Sequence, residues 1–206
     1  ADQSVSGFTV SGLLGSDSVA DLNSISAAGA TGKNAGSYSN VVTAGTETNY
    51  TVNTANGSLL INKANLSLSG TRVYDAGTTF AGTYLTATGV AGETFTVTGS
   101  GDATNLASKN VQTAQALNSV TGLTLGTSAN GGLSDNYNAL STTASSVSVT
   151  PKSATVSATA TQLTYNGTQQ NQATETSGFI PGDAITVTGQ ASGKYAGNYV
   201  SSLTLG

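Results

Sequence analysis

The side chains that could do chemistry in this sequence are carboxylates, tyrosines and lysines, because His, Cys, Met and Trp are all missing. Glu93 and Asp183 close two similar segments, Val90-Ala91-Gly92-Glu93 and Ile180-Pro181-Gly182-Asp183, and Asp17 follows the comparable Gly15-Ser16. Two carboxylates facing one sugar would make a glycosidase. A catalytic pair would not recur at the same turn of successive units, so Asx-type bonding within the turn is the expected role. Asp17 with Asp21, and Asp102 with Asp135, are the pairs that would approach a cation. Calcium takes about six to eight oxygens, and no Asp-x-Asp cluster supplies them, so no metal is expected. Without His or Cys there is no Ser-His or Cys-His nucleophile, disulfide, CxxC pair or His/Cys zinc site. No cofactor and no enzymatic activity are expected.

Other side chains carry weaker signals. Lys33, Lys63, Lys109, Lys152 and Lys194 recur at matching positions. They read as solvated strand ends, where charge discourages edge pairing. The sharper alternative is a Lys-Asn isopeptide crosslink, which would need a buried acid and would show as loss of ammonia in the intact mass. Tyr38, Tyr50, Tyr137 and Tyr199 also match and read as core rings with the hydroxyl bonded to backbone. Tyr84 and Tyr195 depart most from the pattern and are the candidate ligand contacts, as sugar-stacking platforms. Asn49, Asn56, Asn65 and Asn166 each open an Asn-x-Ser/Thr triplet and are the candidate glycosylation sites.

The matching positions come from an internal repeat. Gly92 and Gly182 are 90 residues apart, Tyr74 and Tyr165 are 91 apart, and Lys63 and Lys152 are 89 apart. Gly32-Lys33-Asn34-Ala35-Gly36-Ser37-Tyr38 matches Gly193-Lys194-Tyr195-Ala196-Gly197-Asn198-Tyr199, with a weaker version at Ser108-Lys109-Asn110-Val111. Within a unit the order is Tyr-x-Gly-Thr, Gly-Asp/Glu, Gly-Lys-x-Ala-Gly-x-Tyr, Asn-Tyr and a Lys exit. Residues 1–64 hold the later landmarks, 65–152 a whole unit, and 153–206 the early ones. The chain opens at Ala1 and has no Met, so it is expected to be processed or cut from something longer.

The elements that must position these residues are strands. Phe95-Thr96-Val97-Thr98, Ile185-Thr186-Val187-Thr188 and Val147-Ser148-Val149 alternate apolar with Thr or Ser. Asn56-Gly57, Asn130-Gly131-Gly132, Asn166-Gly167 and Pro181-Gly182-Asp183 supply bends. No segment offers a capped 3.6-residue apolar face. The expectation is an all-β chain of tandem small antiparallel β-sandwich-like modules in an elongated array, with a β-grasp-like sheet as the alternative. Each module would carry a small Val/Ile/Leu/Phe core. The direct run from Ile61-Asn62-Lys63-Ala64 into Leu66-Ser67-Leu68-Ser69 predicts stiff coupling rather than a flexible linker.

Bulk composition agrees with a folded, chemically spare chain. The hydrophobic fraction is 37%, only 8% of residues are charged, and there are two prolines, which is unlike a disordered segment. A net charge of -4 and a pI near 4.4 disfavour nucleic acid and anionic lipid as partners. No apolar run approaches the roughly 18 residues of a membrane span, and no segment reads as a signal peptide.

The landmarks resemble the MBG and YDG repeat modules of very large secreted bacterial adhesins of the filamentous-haemagglutinin type. Val73-Tyr74-Asp75-Ala76-Gly77-Thr78 carries the YDG-like match. Tyr165-Asn166-Gly167-Thr168, Gly178-Phe179-Ile180-Pro181-Gly182-Asp183, Gly193 to Tyr199, and Asn49-Tyr50 with Ile61-Asn62-Lys63-Ala64 carry the MBG-like one. Ala76 stands between Asp75 and Gly77, where that family runs Tyr-Asp-Gly directly, so the turn is expected to be one residue longer. The resemblance implies export across both bacterial membranes, often by two-partner secretion, and a non-catalytic stalk or spacer in a cell-surface adhesin or biofilm matrix. Neighbouring modules or other copies, and surface glycan or matrix polysaccharide, are the expected partners. Two alternatives stand beside it: a module that itself binds glycan or protein, and an extracellular filament subunit. In the latter, if Ala1 and Gly206 are natural termini, strands of one copy would complete the end module of the next.

Overall fold

Phe95 and Val97 are buried while Thr96 and Thr98 between and beyond them face solvent, so the alternation read from the sequence sets the faces of the strand. The same holds for Val147 and Val149 against their flanking residues. The computed structural model describes residues 1–206, all strands, short 3-10 turns and connecting segments.

In the N-terminal segment β1 (Gln3–Val5) pairs with β3 (Ala30–Gly32), β2 (Ile25–Ala27) with β5 (Val42–Ala44), and β4 (Gly36–Asn40) with β6 (Gly57–Ile61), all antiparallel. The central segment holds β7 (Ser67–Val73), β8 (Leu85–Thr88), β9 (Thr94–Thr98), β10 (Gln112–Gln115), β11 (Thr124–Ser128) and β12 (Ser145–Thr150). These form one six-stranded sheet in the order β10-β12-β7-β8-β9-β11. The last segment has β13 (Thr155–Ala158), β14 (Gln170–Asn171), β15 (Thr174–Ser177), β16 (Val187–Thr188), β17 (Ser192–Gly193) and β18 (Thr204–Leu205). They pair antiparallel as β13-β15, β14-β17 and β16-β18.

The fold is all-β. Strand pairing is antiparallel except between β7 and β12, which run parallel from Ser145 beside Leu68 to Thr150 beside Val73; an isolated bridge between Ala64 and Tyr137 is also parallel. A parallel pair needs a crossover, and here the crossover is everything from Tyr74 to Ala144. The first and last strands of the unit thus lie side by side inside the sheet, in its second and third places. The chain enters at one end of β7 and leaves β12 at the other.

The core is confined to the central unit. Twelve residues cluster there, among them Leu68, Phe80, Phe95, Tyr137, Val147 and Val149. In residues 1–64 only Ala30, Gly32 and Asn40 are buried, and in 153–206 none is. The expected core in each unit is therefore present in one. Each flanking segment builds only two-stranded ladders, too narrow to bury a face.

Candidate functional site

The recurring acidic turns close with the same backbone bond. Asp17 N donates to Leu14 O at 3.2 Å, Glu93 N to Val90 O at 3.1 Å and Asp183 N to Ile180 O at 3.1 Å. Positive φ falls at Gly15 (64°) in the first turn, at Ala91 and Gly92 (55° and 79°) in the second, and at Gly182 (97°) in the third. The carboxylates do not close Asx turns, as the sequence suggested. The backbone already closes the turn, and each carboxylate instead accepts from a tyrosine hydroxyl.

Two of these clips are equivalent. Tyr50 accepts from Leu14 N at 3.1 Å and donates to Asp17 Oδ2 at 2.5 Å. Tyr137 accepts from Val90 N at 2.9 Å and donates to Glu93 Oε2 at 2.8 Å. The Asn-Tyr landmark is thus the half of the clip that a segment distant in sequence brings to the turn. In the third, Asp183 Oδ1 accepts at 2.9 Å from Tyr74, which belongs to the central unit. All three hydroxyls titrate above the ordinary 10.0. For Tyr50 and Tyr74 the donated bond to the carboxylate is the main cause, and for Tyr137 burial leads and the bond to Glu93 adds to it.

The Gly-Lys-x-Ala-Gly-x-Tyr landmark is a second device. The Tyr38 ring lies on Gly32 so closely that a Cβ there would stand 2.2 Å from a ring carbon, and Tyr199 lies on Gly193 in the same way. Tyr38 donates to Asn34 O at 2.9 Å and Tyr199 to Tyr195 O at 3.2 Å. These two hydroxyls meet backbone, as read from the sequence, but the rings are not core: Tyr38 is half-buried and Tyr199 exposed.

This loop also makes a joint. Ala35 N donates to Asn136 Oδ1 at 2.8 Å, and Asn136 Nδ2 to Asn34 Oδ1 at 3.1 Å. Beside it Ala64 N donates to Asn136 O at 2.9 Å and Asn138 N to Ala64 O at 2.8 Å. The N-terminal segment is hydrogen-bonded to the segment Asn136–Asn138 at two places, through its loop and its exit. Asn34 and Asn136 were not singled out in the sequence, although Asn136 stands in the Asn-Tyr landmark.

Two further polar residues also escaped the sequence reading. Arg72 is buried, pairs with Asp75, and donates to Gly77 O at 2.5 Å and Val73 O at 3.3 Å, with its guanidinium 5.8 Å from the Phe80 ring centre. It holds the Tyr-Asp-Ala-Gly turn, in which Ala76 takes φ of 63° and Gly77 N donates to Asp75. Burial acts to raise the Asp75 pKa, but the Gly77 N–H and Arg72 outweigh it and hold the carboxyl below its ordinary value. Asn105 is fully buried with both ends of its amide bonded, accepting from Phe80 N and Asp102 N and donating to Ser119 O and Thr121 O.

The remaining candidates are scattered. Asp21 accepts from Ser18, and Asp102 from Thr104. No group of three or more acidic, His or Cys side chains is gathered to hold a metal. The lysines Lys33, Lys63, Lys109, Lys152 and Lys194 are exposed. Tyr84 is exposed and meets Phe80 edge-on, and Tyr195 is exposed with the Lys194 ammonium 5.8 Å over its ring. Asn49, Asn56, Asn65 and Asn166 are all exposed. Three of their carboxamides are engaged: Asn56 accepts from Val42 N, Asn65 from Asn138, and Asn166 from Thr168.

Turn, clip and glycine-seated ring all occur within the first 60 residues. Residues 1–60 match the family model of the MBG domain (YGX type). No curated protein and no solved structure matches the chain. MBG domains occur in bacterial surface proteins, and residues 1–60 are similar to that domain. The clip of the MBG-matched segment recurs in the central unit at Val90, Glu93 and Tyr137. No helix is long and apolar enough to cross a membrane.

Proposed function

We propose that this chain is a non-catalytic spacer, a run of MBG-type modules in the stalk of a secreted bacterial adhesin or biofilm matrix protein. The parallel pairing of β7 with β12 supports the reading most directly. An antiparallel pair of first and last strands would return the chain to where it entered. The parallel pair instead advances it by about 20 Å along the strands. The Asn136 joint then fixes the preceding segment to the unit by hydrogen bonds, where a Gly/Ser linker would leave it free. The three carboxylates that suggested chemistry are each occupied by a separate tyrosine, which fits a structural role. Neighbouring modules are the partners this reading requires.

Small-angle X-ray scattering on the purified chain tests it. A compact chain of this length has a radius of gyration of about 17 Å. The spacer reading expects a clearly larger value and an elongated distance distribution. A value near that of a sphere would reject it.

A further inference from the structure

We propose that residues 153–206 form a strand-acceptor groove that takes a segment of the kind this chain carries at 136–150, an Asn-Tyr pair followed by a strand. The proposal goes beyond the spacer reading and stands on the groove itself.

Strand β7 is paired on both edges, by β8 and by β12. Strand β13 pairs with β15 in the register that the first half of β7 uses with β8, and its other edge has no partner. Beyond Gly70 only β12 continues the ladder of β7. The corresponding residues 159–161 form no strand.

The opposite wall tells the same story. Both β4 and β10 begin three residues after a lysine, Lys33 or Lys109, and pair with β6 and β12 respectively. Gly197–Val200 stands three residues after Lys194, yet it forms no strand and Val200 is 84% exposed. Between these two unpaired backbones lies an open cavity of about 710 Å³, lined by Ala158, Leu163, Tyr165, Tyr195, Val200 and Leu203 among others. In the central sheet the position between β10 and β7 belongs to β12. Backbone edges of this kind recruit a strand by main-chain hydrogen bonds, and pockets select alternate side chains.

The acidic turn identifies the strand. Leu14–Asp17 and Val90–Glu93 each receive a tyrosine that touches both the first N–H and the carboxylate. In Ile180–Asp183 only the carboxylate is met, by Tyr74 from another unit. The occupant is therefore an extended segment whose Asn-Tyr pair precedes an alternating β-branched strand, as Asn136-Tyr137 precedes Val147 and Val149. Its tyrosine would complete the clip and its two inward residues would meet the apolar side chains Ala158, Leu163, Val200 and Leu203 of the cavity.

The probe is a synthetic peptide with the sequence of residues 134–152, titrated into the whole 206-residue chain by calorimetry and followed by hydrogen exchange. Saturable one-to-one binding is expected, with exchange slowed at 159–161 and 197–200. A peptide carrying Val147→Lys and Val149→Lys is expected to bind at least about ten-fold more weakly, since it would bury charge in the groove. A Tyr137→Phe peptide should also weaken. Because the changes are in the peptide, the protein's own folding is unaffected. Absence of saturable binding, or equal binding of the lysine peptide, would overturn the proposal. So would protection confined to residues 68–73 and 112–115, which would mean exchange with β12, or self-association of the chain that the peptide does not compete away.

Discussion

A tyrosine hydroxyl set between a backbone N–H and a carboxylate can donate to the carboxylate only while it keeps its proton. Tyr137 does this with 4% exposure, accepting from Val90 N and donating to Glu93. Tyr137→Phe keeps the ring on Phe95, 5.2 Å between centres, and removes both bonds. The expected loss is about 1–2 kcal/mol of stability, read from chemical denaturation. The pH dependence follows from the raised hydroxyls of Tyr50, Tyr74 and Tyr137. A phenol with a raised pKa in the folded state contributes stability fully below its unfolded value of about 10. The unfolded chain gives up its protons first as pH rises past that point, so stability falls with pH until the folded hydroxyls ionise as well. Melting temperature between pH 8 and 11.5 should be level at first and then drop. In a triple Phe variant the alkaline drop should be smaller, while an unchanged drop would remove the clips as its cause.

At the scale of elements, the glycines of the repeat divide into those that bend the chain and those that make room. Gly32 makes room for the Tyr38 ring, and Gly32→Ala would drive a methyl into it. Gly57 opens β6, has no positive φ, and would place its methyl 3.7 Å from Asn40 Cβ, an ordinary contact. Gly32→Ala is expected to cost about 1–3 kcal/mol, and Gly57→Ala to leave stability near or slightly above that of the parent. Equal effects in thermal unfolding would mean that Gly32 is not a seat for the ring. The contrast also shows what could be read from the sequence. Alternation at Phe95/Val97 and Val147/Val149 gave the strands and their faces, since side chains alternate with a period of two. It carries no information on which strand lies alongside, so the parallel β7-β12 pair could not be seen. The clips were hidden for a related reason. Their partners are 33 and 44 residues apart, and local turn chemistry offers a carboxylate a nearer and equally plausible bond. Arg72 was overlooked because a lone arginine reads as surface. Its burial depends on Asp75, Val73 O, Gly77 O and Phe80 all surrounding it.

For the molecule as a whole, the uneven distribution of buried side chains implies uneven stability. The central sheet encloses the twelve-residue core, whereas residues 153–206 bury no residue and hold their backbone by two-stranded ladders. Ladders of two strands without an apolar face are marginal in water. Local opening there exposes little new surface and should need little free energy, while opening β7, β8, β9 or β12 exposes Leu68, Phe95, Val147 and Val149 together. The N-terminal segment should fall between these limits, because its loop and exit are hydrogen-bonded to Asn136 and Asn138 of the central unit. Native-state hydrogen exchange by mass spectrometry is expected to rank the segments in that order, slowest at 67–150, intermediate at 25–64 and fastest at 153–206. Denaturant melts followed by exchange should then show more than one transition, with the last assigned to the central sheet. A single transition with equal protection throughout would mean that the modules stabilise one another far more than these few junction bonds allow. Asn136→Ala separates the two pictures. It removes the side-chain bonds of the joint without touching the core, so faster exchange should spread through residues 25–64 and leave 67–150 unchanged.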